Sequence, residues 1–73
     1  MRVTYDADVD AAYIYLVGEI PARGVARTIP VDPSEINGMI NLDFSAEGLL
    51  VGIEVLDASR FISPELLRSE SPS

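Results

Sequence analysis

Apolar and polar residues alternate at period two through most of the chain, which is the pattern of half-buried strands. It predicts strands from Arg2 to Tyr5 and from Ala11 to Leu16, around the loop Asp6-Ala7-Asp8-Val9-Asp10. A third strand is expected from Val25 to Val31. A fourth and a fifth run from Met39 to Phe44 and from Leu49 to Leu56, joined by Ser45-Ala46-Glu47-Gly48. The intervening loops, Gly18 to Gly24 and Asp32 to Gly38, carry Pro21 and Pro33.

The first and last strand pairs read as hairpins built alike, each with acids near its tip. Gly48 closes the second hairpin at positive φ, which glycine adopts without penalty. Asp10 takes the same place in the first, and Asp tolerates the left-handed region better than most residues. Counting from a four-residue turn sets Phe44 opposite Leu49, Leu42 opposite Val51 and Ile40 opposite Ile53. One face then collects Ile40, Leu42, Phe44, Val51, Ile53 and Val55, and the other carries Asn41, Asp43, Gly52 and Glu54. In the first hairpin, Val3, Tyr5, Ala12, Ile14 and Leu16 share a face. Tyr13 and Tyr15 point the other way, on the side that also takes Leu50 and Leu56. Gly52 leaves a gap where a ring or a helix can approach closely.

Near the C-terminus the period changes. Ser63-Pro64-Glu65-Leu66-Leu67-Arg68 reads as a short helix, with Ser63 as N-cap and Pro64 at the first helical position. Phe61, Ile62, Leu66 and Leu67 give this region an apolar face to lay on the sheet. Residues 1–68 then form one small domain, and 69–73 a flexible polar tail. The expected fold is α+β, mainly β: an antiparallel sheet of about five strands with one short helix packed on it.

Composition narrows the chemistry. At 73 residues the chain buries only about 60% of its unfolded surface, so the core is small. There is no Cys and no His, which excludes disulfides, thiol chemistry, the usual zinc sites and histidine acid–base catalysis. Twelve acids against five bases give a net charge of −7, a sign that repels phosphate backbones and argues against nucleic acid as a partner. The N-terminal residues do not have the pattern of a signal peptide, and no apolar run approaches the ~20 residues that span a bilayer. A cytoplasmic protein without membrane partners is expected.

Asp6, Asp8 and Asp10 resemble the opening of a calcium loop. The sixth and twelfth places, which need Gly and Glu, hold Ala11 and Val17, so the expectation is a solvated hairpin tip. Asp43 and Glu54 fall on neighbouring strands and one face, near Asn41, as a glycosidase pair does. The bland reading has Asp43 accepting hydrogen bonds near the turn and Glu54 pairing with an Arg. Tyr13 and Tyr15 form either half-buried packing or an interface. Arg23 and Arg27 are expected to pair with acids.

The run Tyr5-Asp6-Ala7-Asp8-Val9-Asp10-Ala11-Ala12-Tyr13-Ile14-Tyr15-Leu16 resembles the start of a small bacterial family catalogued as domain of unknown function 2283. The likeness continues at Ile40-Asn41-Leu42-Asp43-Phe44 and through Gly48 and Leu50-Val51-Gly52-Ile53-Glu54-Val55-Leu56 to Ala58-Ser59. Asp8 stands where Glu is expected, and Ser45 where Asp is common. The resemblance implies a compact, mostly β protein with a short C-terminal helix. It brings no activity and no catalytic residue.

These readings favour a non-enzymatic protein-interaction module without cofactor or metal. It is expected to form a homodimer whose interface lies around Tyr13, Tyr15, Leu50 and Leu56. Its acidity suits a basic protein partner, by analogy with small bacterial proteins that restrain a toxin. The alternative is a small-molecule binder or hydrolase using Asn41, Asp43 and Glu54, which requires a deep pocket between them.

Overall fold

A computed structural model describes residues 1–70, and Ser71 to Ser73 of the expected tail lie outside the described residues. The strands are β1 (Arg2–Asp6), β2 (Ala11–Tyr15), β3 (Arg27–Pro30), β4 (Ile40–Phe44) and β5 (Leu50–Leu56). They form one open sheet in the order β1-β2-β5-β4-β3, antiparallel throughout. The two hairpins thus lie side by side, joined through β2 and β5, and β3 adds an edge beside β4. The fold is mainly β, as the alternation predicts.

Both hairpin tips have the expected backbone. Asp10 and Gly48 are left-handed, with φ of 54° and 85°. Asp6 accepts from the amide of Asp8 at 3.0 Å, which tightens the first tip. The second hairpin departs from the expected register. Leu42 pairs with Ile53 and Ile40 with Val55, so these pairs are displaced by two residues. The cause has two parts. Ser45 donates its amide to the Leu49 carbonyl at 2.8 Å, so the loop is three residues ending in left-handed Gly48, and Ser45 replaces Phe44 opposite Leu49. An irregularity between Asp43 and Phe44 then adds a second residue of offset. Because the displacement is even, Ile40, Leu42, Ile53 and Val55 stay on one face.

Three short helices complete the chain: α1 (Pro33–Ile36), α2 (Ala58–Phe61) and α3 (Pro64–Glu70). Only α3 is expected from the sequence, and it reaches two residues past Arg68 into the segment read as a tail. Ser63 caps it, its hydroxyl oxygen accepting from the Leu66 amide at 3.3 Å, while its carbonyl starts the helical ladder by accepting from Leu66 at 3.1 Å and Leu67 at 3.2 Å. Asp32 caps α1 by accepting from Ser34 at 3.0 Å. Each of α1 and α2 is four residues, too short to show a helical period in sequence.

The helical layer lies on the face that carries Tyr5, Ala12 and Val55. Ala12, Val55, Ala58 and Leu67 form the buried cluster, with Tyr5, Ile14, Ile40, Ile53, Phe61 and Ile62 packed against it. Phe61 also lies against Gly38, and Arg60 donates to the Asn37 carbonyl at 2.9 Å, which ties α2 to the α1 loop. The layer is fastened at the first hairpin tip. Asp10 accepts from the Ser59 amide at 3.0 Å, the Ser59 hydroxyl at 2.7 Å and the Tyr5 hydroxyl at 2.7 Å. Its carbonyl accepts from Ala58 at 2.9 Å. The result is a slab of 33 × 31 × 17 Å with the helices on one side. Among the described residues, no helix is long and apolar enough to cross a membrane.

Gly48 meets no atom that a Cβ would touch, so its constraint is the backbone angle alone. Gly48→Val is expected to cost about 1 kcal/mol or more, and Gly48→Asn much less. Urea melts check this; equal stability of the two variants would remove the left-handed turn from the account.

Candidate functional site

The face opposite the helices carries the side chains singled out in the sequence. Register places Tyr13 beside Glu54, Tyr15 beside Gly52, Asn41 beside Glu54, and Asp43 between Gly52 and Thr28. The sequence therefore folds with both candidate carboxylates on one face, together with both tyrosines.

Gly52 organises this face. With no side chain on β5 at that point, the Tyr13 ring lies across the strand, and a Cβ on Gly52 would collide with its phenol. The ring thus fills the gap read from the sequence. Its hydroxyl reaches past β5 and donates to Asp43 Oδ2 at 2.6 Å. Thr28, from the edge strand β3, donates to Asp43 Oδ1 at 2.7 Å. Asp43 therefore links β2, β4 and β3 across a strand that supplies only backbone. Desolvation, followed by the hydrogen bond to Asp43, raises the Tyr13 pKa well above that of free tyrosine. The phenol stays neutral and remains a donor. Beside it, Asn41 donates to Glu54 Oε1 at 2.9 Å. The partner of Glu54 is thus Asn41 rather than the expected Arg.

Tyr15 stands against Tyr13 edge to face, with centroids 4.8 Å apart and planes at 66°. Its other neighbour is Arg2, whose guanidinium carbon lies 4.0 Å over the Tyr15 ring. Arg2 and Thr28 belong to the site, and sequence reading did not single them out. The first was within reach, because the hairpin register sets Arg2 opposite Tyr15. Thr28 was not, because local pattern does not say which strand lies beside Asp43.

Tyr13, Tyr15 and Leu56 are half-buried, whereas Leu50 is 37% exposed. Leu50 and Leu56 are the first and last residues of β5, with Gly52 and Glu54 between them. The four candidates thus do not merge into one apolar patch; a tyrosine pair with polar neighbours occupies the middle of the face.

A hollow of about 230 Å³ runs along Thr4, Asp6, Ala11, Tyr13 and Glu54, and Asp43 is not part of its lining. A larger one of about 370 Å³ lies at the end of the sheet, between Ile20, Arg23, Glu47 and Val51. Neither places Asp43 and Glu54 across one cavity.

The other candidates have structural partners. The Asp10 carboxylate is held by Tyr5 and Ser59, and Asp6 closes its own turn. Among the described residues, no three His, Cys, Asp or Glu side chains gather as a metal site requires. Arg27 lies over the Phe44 ring at 5.8 Å rather than against an acid, because the edge register sets those two residues opposite each other. Arg23 is left-handed, with φ of 65°, and lines the larger hollow. The described ion pair is Arg60–Asp57 at 3.5 Å.

Gly52→Ala forces the Tyr13 ring off the strand. We expect a loss of about 1–3 kcal/mol, as for overpacked sites, and little further loss from Gly52→Ala in a Tyr13→Ala background. A double-mutant cycle in urea measures this; the same cost in both backgrounds would show that the ring and the glycine are not coupled.

Residues 2–59 of the 73-residue chain match the family described as Protein of unknown function (DUF2283). The matched span begins with β1 and ends at Ser59, so it takes in the whole sheet and both partners of the Asp10–Ser59 contact. Comparisons with curated proteins and with solved structures give no match. With its entire sheet inside the matched span, the chain belongs to the DUF2283 family.

Proposed function

We propose that the protein is a non-enzymatic protein-interaction module of the cytoplasm, which works as a homodimer and offers its open sheet face to a basic partner. The observation that carries this reading is the engagement of the Asp43 carboxylate. Both of its oxygens accept from neighbours, Tyr13 and Thr28, and Glu54 is held by Asn41. A hydrolytic pair needs carboxylates that face a substrate and differ in environment. Here they serve to fix an aromatic surface, and fixed aromatic side chains with polar neighbours suit an interface. The net charge of −7 favours a basic partner through steering.

Self-association has its own surface in this proposal. Among the described residues the buried apolar side chains are Val3, Ala12, Val51, Val55, Ala58 and Leu67, none larger than Leu, a small core for a domain with no cysteine to form a disulfide. The edge strand β3 is exposed along its length, and Ile29, on the helix side beside Leu42, is 39% exposed. A second copy seated there adds the missing apolar burial and leaves the tyrosine face free.

Light scattering at micromolar concentration is expected to give twice the chain mass, the chain mass for Ile29→Asp, and twice the chain mass again for Tyr15→Ala. In pull-downs from the native lysate, Tyr15→Ala is expected to weaken partner capture by about 2 kcal/mol or more. A small molecule that co-purifies and is lost only in the Asp43→Asn, Glu54→Gln variant, with no protein retained, would replace the module with the small-molecule or hydrolase reading.

A further inference from the structure

We propose that Tyr15 is the receptor for an arginine side chain of the basic partner, and that Arg2 of the chain itself occupies this receptor in the free protein. The inference rests on the module reading and adds the chemistry of the contact. Arg2 lies at 4.0 Å over the Tyr15 ring, well inside the ~6 Å range of a cation–π contact. The face of Tyr15 thus accepts a guanidinium in the geometry that recognition requires.

The receptor is built and the occupant is loosely held. Tyr15 is braced edge-on by Tyr13, which is fixed in turn by Asp43 and by the gap at Gly52. Little ordering remains to be done when a partner arrives. Arg2, in contrast, is exposed and begins the edge strand β1. Among the described residues no carboxylate pairs with it, the ion pair being Arg60–Asp57.

Charge selects the visitor. Glu54 lies diagonally across from Tyr15 on the neighbouring strand, within reach of a long side chain. Its Oε1 is taken by Asn41, while Oε2 has no hydrogen-bond partner among the described residues. An incoming arginine that stacks on Tyr15 and donates to Glu54 makes a charge-assisted bond that Arg2 does not make, so it displaces Arg2. A planar guanidinium both stacks and forks, which a lysine ammonium does not, so the site discriminates between the two cations. Arg2 then acts as a built-in competitor, lowering apparent affinity by the fraction of molecules in which it covers the ring.

The test uses the full chain and two probes, an acetylated, amidated peptide of four Gly-Arg repeats and its Gly-Lys counterpart, titrated by NMR. Saturable shifts are expected at Tyr15, Tyr13 and Glu54, with the arginine peptide binding about threefold or more tighter than the lysine peptide. Arg2→Gln should tighten arginine-peptide binding about two- to fivefold, the range of one exposed cation–π contact. Arg68→Gln changes net charge equally but from α3, on the helical side of the sheet beside Tyr5 and away from the Tyr15 face. It should leave affinity within about 1.5-fold, because an exposed charge that makes no contact with the site is screened by salt. Tyr15→Leu should abolish the gain from Arg2→Gln. Equal gains from Arg2→Gln and Arg68→Gln, or undiminished binding by Tyr15→Leu, would overturn the receptor. If Tyr15→Ala still loses lysate capture, that failure leaves the module standing.

Discussion

Asp10 fastens the two layers of this molecule to each other. It stands in the left-handed region at the tip of the first hairpin, which turns its carboxylate and carbonyl toward the start of α2. The carboxylate takes the amide and hydroxyl of Ser59, 49 residues along the chain, and the carbonyl takes the amide of Ala58. Tyr5 donates to the same carboxylate from the helix-side face of β1. The hydrogen bond from Tyr5, then those from Ser59, hold the Asp10 carboxyl below its ordinary range. A depressed carboxyl stabilises the fold above the ordinary carboxylate pKa, and that contribution is lost as pH falls through its own lower value. The helices are thereby committed to one face of the sheet, and the other face is left for a different use.

Small cores depend on such fasteners. Among the described residues no buried side chain is larger than leucine, and β3 is exposed along its length. Polar links across strands supply order that bulk burial would supply in a larger domain. The open face repeats the device with Asp43, which joins Tyr13 and Thr28 over the glycine of β5. In each case an aspartate collects hydroxyl donors from elements distant in sequence. The same links that give rigidity also occupy the carboxylates, which is why geometry favours a binding surface over a reaction centre.

The sheet faces were legible in the sequence, and the contacts that exploit them were less so. Alternation placed Tyr13, Tyr15, Asp43 and Glu54 together because the slip is an even two residues from the Ile40–Val55 pair to the Asp43–Gly52 pair. At the Phe44–Leu50 pair it is one, and there the expected faces are not kept. The slip itself was hidden, since Ser45-Ala46-Glu47-Gly48 supports a three-residue or a four-residue loop and only the three-dimensional turn decides between them. The gap at Gly52 was readable, but not the ring that fills it, because the neighbourhood of β2 and β5 is a tertiary choice. Likewise Asp10 was readable as a turn residue, whereas its bond to Ser59 spans most of the chain. The helix α2 left no periodic trace because it is one turn long.

Amide hydrogen exchange on the Asp10→Gly variant tests the central claim most directly. Glycine keeps the left-handed backbone and removes the carboxylate, so the change isolates the fastener from turn strain. The account predicts that amides from Ser59 to Leu67 exchange about tenfold faster or more, while those of the β4–β5 ladder keep their wild-type protection. Unchanged exchange at Ser59 and Ile62, or an equal rise throughout the sheet, would contradict the claim that Asp10 holds the helical layer in place.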